Sequence, residues 1–190
     1  MGLIVESEHM DGLVVFRPEV FRDDRGYFME SFNAGDFAKA GLPVEFPQDN
    51  HSFSVKNVIR GLHFQWYAPQ GKLLRVTAGA AFVAEVDIRP GSPTFGKFFT
   101  IELSARNMLM LWIPPGFANG FCSLEDGTEM QYKCSAAWNP GGESSIRWND
   151  PALGIPWPID DPVISRKDAE AQLLSDWKEK PESKFFMYSK

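Results

Sequence analysis

The residues with the most chemistry in this chain cluster in one stretch, Arg60-Gly61-Leu62-His63-Phe64-Gln65, followed after a proline-containing turn by Gln70-Gly71-Lys72-Leu73-Leu74-Arg75-Val76. A histidine, two arginines, a lysine and two glutamines stand there among residues that otherwise read as core strands. Polar groups placed in a core cost free energy unless something satisfies them, and a ligand is the expected partner. In a strand, residues i and i+2 share a face, which puts Arg60 opposite His63 and Gln65 unless a bulge at Gly61 intervenes. The residues alone leave two readings open for each candidate. His63 is a base, since an unperturbed imidazole titrates near ~6.5, or a core histidine hydrogen-bonded for structure. Lys72 is a fixed ammonium that stabilises negative charge as it develops, or a solvated strand-end lysine. Tyr132, in Met130-Gln131-Tyr132-Lys133-Cys134, is a proton donor or a barrel tyrosine with a satisfied hydroxyl.

Turn signals at short intervals mark out the elements that must hold these residues. Apolar or aromatic runs at residues 13 to 21 and 27 to 32 flank the turn chemistry of Arg22-Asp23-Asp24-Arg25-Gly26. Residues 33 to 40 read as a short helix, capped by Asn33 and stopped by Gly41 and Pro43. Strand-like runs follow at residues 58 to 64, 73 to 78, 80 to 88, 98 to 103, 108 to 113, 120 to 124 and 129 to 136, split by glycine and proline turns. Many short strands with regular turns predict an all-β sandwich or barrel of the jelly-roll kind. Residues 165 to 178 depart from that pattern and read as an amphipathic C-terminal helix with Leu173, Leu174 and Trp177 on its apolar side.

With 190 residues, 44% of them hydrophobic, the chain has enough apolar surface for one sizeable core and is expected to form one domain over residues 1 to 190. A formal net charge of -6 argues against nucleic-acid and membrane-surface partners, which need a broad basic field. A small anion held by a few arginines remains compatible. The N-terminal residues lack the basic region and apolar run of a signal peptide, so a cytoplasmic location is expected. Cys122 and Cys134 lie in apolar strand-like segments and read as buried free thiols rather than a disulfide or a metal knuckle.

Seven ordered motifs carry a resemblance. Phe21-x-Asp23-x-Arg25-Gly26-x-Phe28-x-Glu30, Gln48-x-Asn50, Arg60-Gly61-Leu62-His63, Gln70-x-Lys72, Ser92-Pro93-Thr94-Phe95-Gly96, Ile113-Pro114-x-Gly116-Phe117-Ala118 and Trp148-Asn149-Asp150-Pro151 are similar to those of the dTDP-4-dehydrorhamnose 3,5-epimerase family, from about residue 14 to residue 168. The resemblance implies a cupin-type jelly-roll barrel that is metal-free, cofactor-free and homodimeric. It implies action on a nucleotide-diphospho-4-keto-6-deoxyhexose, with double epimerisation at C3 and C5 as the leading reading. A single-carbon epimerase, an epimerase of a sugar on another nucleotide, a metal-dependent cupin and a non-catalytic sugar-nucleotide binder are the alternatives. A three-histidine metal site would have to gather His9, His51 and His63 from distant segments, which counts against the metal reading.

Epimerisation beside a ketone needs a base, a group that stabilises the enolate oxygen, and an acid on the opposite face. By resemblance these are His63, Lys72 and Tyr132. The segment Ser165-Arg166-Lys167-Asp168 resembles the one that supplies the histidine's orienting carboxylate, pointing to Asp168. The same spacing also fits a capping box between Ser165 and Asp168. Arg25, Glu30, Gln48, Asn50, Arg60, Glu143 and Lys167 are binding positions by resemblance, with Arg25 and Glu30 reaching in from a partner subunit. Arg75 is a further candidate for phosphate oxygens, or plain surface charge.

Three pocket positions depart from the family. Asn119 stands where the family has a histidine, and an amide donates a hydrogen bond but carries no proton. Trp138 replaces a tyrosine that stacks on the thymine ring, keeping the stacking face. Val83 replaces an aspartate, while Glu85, two residues on, replaces an apolar residue. Strand alternation puts Val83 and Glu85 on one face, about 6 to 7 Å apart. Glu85 is therefore expected to partner the Lys72 ammonium, unless that face is solvated.

Overall fold

The computed structural model describes residues 2–189. Strands β1 (Leu3–His9), β2 (Leu13–Pro18), β3 (Val20–Asp23) and β4 (Gly26–Met29) precede a short helix, α1 (Ala34–Lys39). The body follows as β5 (Gln48–Ser54), β6 (Val58–Gln65), β7 (Lys72–Ala78), β8 (Ala80–Asp87), β9 (Phe98–Ser104), β10 (Met110–Ile113), β11 (Phe117–Ser123) and β12 (Thr128–Cys134). The C-terminal part adds β13 (Glu143–Ser145), β14 (Val163–Ile164), α2 (Arg166–Ala169), α3 (Leu174–Glu179) and a 3-10 turn at Pro181–Phe186.

One sheet runs β1-β2-β10-β7-β12-β5 and the other β13-β6-β11-β8-β9, with β14 joined to β6. Their inner faces share one cluster, in which Leu13, Val15, Leu74, Val76, Leu111 and Met130 of the first sheet meet Ala81, Val83, Leu103 and Phe121 of the second. Each of the larger side chains among these contributes about 1.5–3 kcal/mol by leaving water, which makes this interior the main driving force for closure of the jelly roll. Two outer layers brace it. Phe37 of α1 packs with Phe16, Leu73, Met110 and Trp112 behind the first sheet, and Leu174, Trp177 and Phe186 cover Leu62, Phe64 and Val86 behind the second. The all-β jelly-roll expectation is met.

The helix expected over residues 165 to 178 is broken in two. Between α2 and α3 the chain extends, Arg147 donates its backbone N–H to Gln172 O at 2.8 Å, and Ile146 bridges Gln172 in parallel. The Asp150 carboxylate then accepts the Leu174 N–H at 2.7 Å and starts α3. Sheet-edge pairing thus outcompetes the helical period, and Leu174 and Trp177 are still buried. Four strands, β1, β5, β13 and β14, were not expected from the sequence pattern, and β11 begins at Phe117 rather than at Gly120.

The bulge at Gly61 is present. Asn119 pairs with His63, yet Phe121 pairs with Arg60, so β6 spends three residues where β11 spends two. Arg60 and His63 consequently share the inner face. Gly61 has φ +139°, and a Cβ there would lie 2.5 Å from the Gly120 Cα. Two glycines in register therefore permit the close approach that turns Arg60 inward.

Candidate active site

On the inner faces, apolar residues give way to polar ones within one residue pair along several strands. On β7 the inward series is Val76, Leu74, Lys72, and on the paired β12 it is Met130, Tyr132, Cys134. On β8 it is Ala81, Val83, Glu85, matched on β11 by Ser123, Phe121, Asn119. The edge strand β5 adds Asn50 opposite Tyr132 and Gln48 opposite Cys134. His63 enters from β6, opposite Asn119. The register thus collects His63, Lys72, Glu85, Asn119, Tyr132, Asn50 and Gln48 into one polar pocket.

His63 Nε2 meets Asp168 Oδ1 at 2.7 Å. Both readings of the Ser165–Asp168 spacing are present in part. Ser165 Oγ accepts the Asp168 N–H at 3.1 Å as an N-cap does, while the Asp168 carboxylate turns to His63 and to the Gly61 N–H. Burial alone would raise the Asp168 carboxyl, but the His63 hydrogen bond and charge, with the Gly61 and Ser165 contacts, hold it below its usual value. Asp168 therefore stays ionised and fixes the imidazole by one nitrogen, leaving Nδ1 as the free basic nitrogen. The pair lines a surface cleft with Arg60 and Lys167.

Across the pocket, burial pushes the Tyr132 phenol up, against the nearby Asn50 side chain, so it stays protonated and able to donate. The Lys72 Nζ lies 5.8 Å from the Tyr132 ring centroid. Burial pushes the Lys72 ammonium down, opposed by the Glu85 charge. Burial likewise raises Cys134, to about 11, so this thiol is an inert neighbour whose Sγ accepts from Asn50 Nδ2 at 3.6 Å. Arg60 spans the gap between the sheets, donating to Ser54 Oγ at 3.2 Å and Phe53 O at 3.1 Å.

At the rim, Trp138 is 58% exposed, and three polar contacts set its position. Its N–H donates to Gln48 Oε1 at 2.7 Å, and its indole Nε1 donates to Glu143 Oε2 at 3.0 Å. Lys167 Nζ holds the other Glu143 oxygen at 2.6 Å. An exposed indole held at both its backbone and its ring is a platform ready for a planar ring.

Residues 7–176 match the family model of dTDP-4-dehydrorhamnose 3,5-epimerase. A dTDP-4-dehydrorhamnose 3,5-epimerase of Pseudomonas aeruginosa is 49% identical over 166 residues, covering 86% of this chain and 92% of that protein. The chain belongs to the dTDP-4-dehydrorhamnose 3,5-epimerase family. It is thus an isomerase of the carbohydrate-epimerase class with a cupin-type barrel. A crystal structure of dTDP-6-deoxy-D-glucose-3,5-epimerase from Legionella pneumophila, in complex with dTDP-4-keto-L-rhamnose, superposes with a TM-score of 0.91 at 40% identity, covering 99% of both chains. A 3'-monoepimerase from Streptomyces bikiniensis, in complex with dTDP-quinovose, gives 0.84 at 31% identity, covering 94% of this chain and 89% of that one.

Several residues singled out in the sequence lie elsewhere in this epimerase-family chain. Gln65 donates to Ala68 O and Ala137 O and accepts the Asn139 N–H, and Gln70 donates to Ala136 O. These glutamines pin the loop bearing Trp138 and need no ligand. Arg75 faces outward and holds Gln131 Oε1 at 2.8 Å. His9 stacks on Phe99, and His51 pairs with Glu129 on the outer face, both apart from His63. Arg25 and Glu30 are not brought to the pocket within the chain. Arg25 pairs with Asp23 on the β3–β4 hairpin, and Glu30 accepts from Asn33 Nδ2 at 3.3 Å.

The expected Glu85–Lys72 ion pair does not form. Glu85 is 0% exposed, so its face is not solvated either. Its Oε1 accepts Asn119 Nδ2 at 2.6 Å instead. Strand alternation placed Glu85 on the pocket face, but only the β8–β11 register shows that Asn119, directly opposite, claims the carboxylate.

Proposed function

We propose that this protein epimerises C3 and C5 of dTDP-4-dehydro-6-deoxyglucose, giving dTDP-4-dehydrorhamnose, without a metal or organic cofactor. The observation that carries this reading is the His63 Nε2 to Asp168 Oδ1 contact of 2.7 Å in a pocket that also holds Lys72 and the protonated Tyr132. A proton moves from the carbon beside the C4 ketone to His63 Nδ1, and the C–H electron pair passes into an enolate. Asp168 supports the imidazolium that forms, and Lys72 faces the enolate oxygen. The Tyr132 hydroxyl then delivers a proton to the opposite face of the same carbon, and the ketone is restored with inverted configuration. Solvent then takes the proton from the His63 imidazolium and returns one to the Tyr132 phenolate, and repetition at the second carbon completes the double inversion. Trp138 stacks on the nucleobase, with Gln48, Asn50, Arg60, Glu143 and Lys167 as binding contacts and Asn119 at the inner wall.

We further propose a homodimer. The β3–β4 hairpin forms its own two-stranded sheet and leaves Phe21, Tyr27 and Phe28 exposed, Phe28 by 60%. Apolar side chains on such an arm fit a partner subunit better than water. The arm would carry Arg25, with Glu30 just beyond it, to the partner's pocket. The test is conversion of dTDP-4-dehydro-6-deoxyglucose followed by proton NMR of the product ring. Inversion at C3 and C5 supports the reading, inversion at one carbon selects the monoepimerase alternative, and an unchanged sugar overturns it.

A further inference from the structure

The C-terminal residues beyond α3 take no part in the proposed reaction, yet they are fastened down along their length. Ser183 Oγ donates to Lys180 O at 2.8 Å inside the 3-10 turn. Phe186 is 5% exposed, and its ring lies 6.1 Å from that of Phe64 and 6.3 Å from that of Trp177. The Tyr188 N–H then reaches Pro90 O at 3.0 Å, and the Tyr188 hydroxyl donates to Asp11 Oδ2 at 2.6 Å. With Phe186 anchored in the core, its neighbour Phe185 turns outward and is 53% exposed. The Phe185 ring is 5.1 Å from Trp66 and 6.3 Å from Tyr67, the second pair meeting edge to face at 85°. Aromatic pairs at such separations attract beyond the area they bury.

Trp66 and Tyr67 in turn sit on the loop that carries Trp138. The Trp66 N–H donates to Gly142 O at 2.7 Å, and a Cβ at Gly142 would lie 2.7 Å from both Tyr67 Cβ and Tyr67 O. That contact leaves no slack between the two segments. The next residue, Glu143, pairs with Gln65 at the end of β6 and holds the Trp138 indole at 3.0 Å and Lys167 at 2.6 Å. An unbroken series of contacts therefore runs from Phe185 through Trp66 and Tyr67 to Gly142, Glu143 and Trp138.

We propose that Phe185 is a positioning residue for nucleotide binding. The C-terminal tail props Trp66 and Tyr67 from outside, and they hold the loop of residues 137–143 so that the Trp138 ring is presented in a fixed orientation. The inference rests on the reading of Trp138 as the nucleobase platform, and it extends the site to a segment that touches no substrate. Its physical basis is preorganisation: a ring and loop held in place before the ligand arrives lose less conformational freedom on binding. The effect falls on affinity and leaves the chemical step at His63 and Tyr132 alone.

The experiment is a double-mutant cycle on the full-length protein with dTDP as the probe. Phe185→Ala should raise the Kd of dTDP and the KM of dTDP-4-dehydro-6-deoxyglucose by about two- to tenfold, the range of one aromatic pair, with kcat unchanged. Phe185→Tyr keeps the ring and should bind as wild type does. In a Trp138→Ala background the same Phe185→Ala change should cost clearly less, because the ring that it positions is gone. Amide exchange followed by NMR should show the Trp66 N–H opening faster in Phe185→Ala while the amides of β7 keep wild-type protection, which separates a local brace from general loosening. A dTDP affinity in Phe185→Ala within about twofold of wild type would overturn the proposal. So would an equal loss in both backgrounds, or a Trp66 amide as well protected as in wild type. If Trp138→Ala itself binds dTDP as tightly as wild type, the platform reading falls and the inference with it, whereas weakened binding in Trp138→Ala but not in Phe185→Ala sinks the inference alone.

Discussion

Two regions of the barrel interior are made by the same strands and behave in opposite ways. Around Leu74, Val76, Val83, Phe121 and Met130 the facing side chains are apolar and interlocked. One residue pair along each strand, Lys72, Glu85, Asn119 and Tyr132 face the same interior, joined by His63 from the bulged strand. The first region supplies burial energy, and the second spends some of it holding polar groups out of water. The lesson is that the pocket needs no scaffold of its own. Its members keep their positions because the neighbouring inward residue on each strand is locked in the core, so substitutions should separate cleanly into those that cost chemistry and those that cost stability.

His63→Asn should break the chemical side of that comparison most severely. Loss of the base should lower kcat by about 10²–10⁴, with dTDP affinity close to wild type and a much smaller loss of stability from the broken contact with Asp168. Steady-state kinetics beside calorimetric titration would check it. Leu74→Ala, one inward position from Lys72, should do the reverse. It should cost about 2–5 kcal/mol in denaturant unfolding while the folded fraction keeps near-normal KM. Trp138→Ala sits outside both regions and should weaken dTDP-sugar binding by about 1–3 kcal/mol, the scale of base–aromatic stacking, with little change in kcat at saturation. An unchanged affinity in that titration would detach Trp138 from the nucleotide.

The smallest effect concerns acid stability. The Asp168 carboxyl is held below its ordinary value of 3.8 in the folded protein. A depressed native value means that the unfolded chain binds the proton more readily. The His63–Asp168 contribution should therefore be fully present above the unfolded value and fade as pH falls through the folded one. Melting curves of wild type and Asp168→Asn should accordingly differ most near neutrality and converge in acid.

Much of this was legible in the sequence, and the exceptions share a cause. The strands β7, β8 and β12 announce themselves because their interior faces are largely apolar, so Lys72 could be placed at the start of β7 and Tyr132 on β12, with His63 on the strand-like run of β6. Strand β5 gave no such signal. Its inward residues are Gln48, Asn50, Ser52 and Ser54, so the strand that lines the pocket lacks the alternation by which strands are recognised. The Gly61 bulge was foreseeable as an alternative, but only pairing with β11 decides it. Glu85 was expected to seek the nearest opposite charge. The sequence pattern carries no register between β8 and β11, and that register gives the carboxylate to Asn119. The break between α2 and α3 came from a pairing between Gln172 and Ile146, too distant in sequence for helical periodicity to anticipate.

The central claim is that the polar pocket removes protons from the carbons flanking the 4-keto group. Deuterium wash-in tests it most directly: wild-type enzyme is incubated with dTDP-4-dehydro-6-deoxyglucose in heavy water, and each ring proton is followed by NMR. The account predicts that the C3 and C5 proton signals disappear while that of C2 persists. Retention of both the C3 and C5 protons by a folded, dTDP-binding enzyme would contradict it.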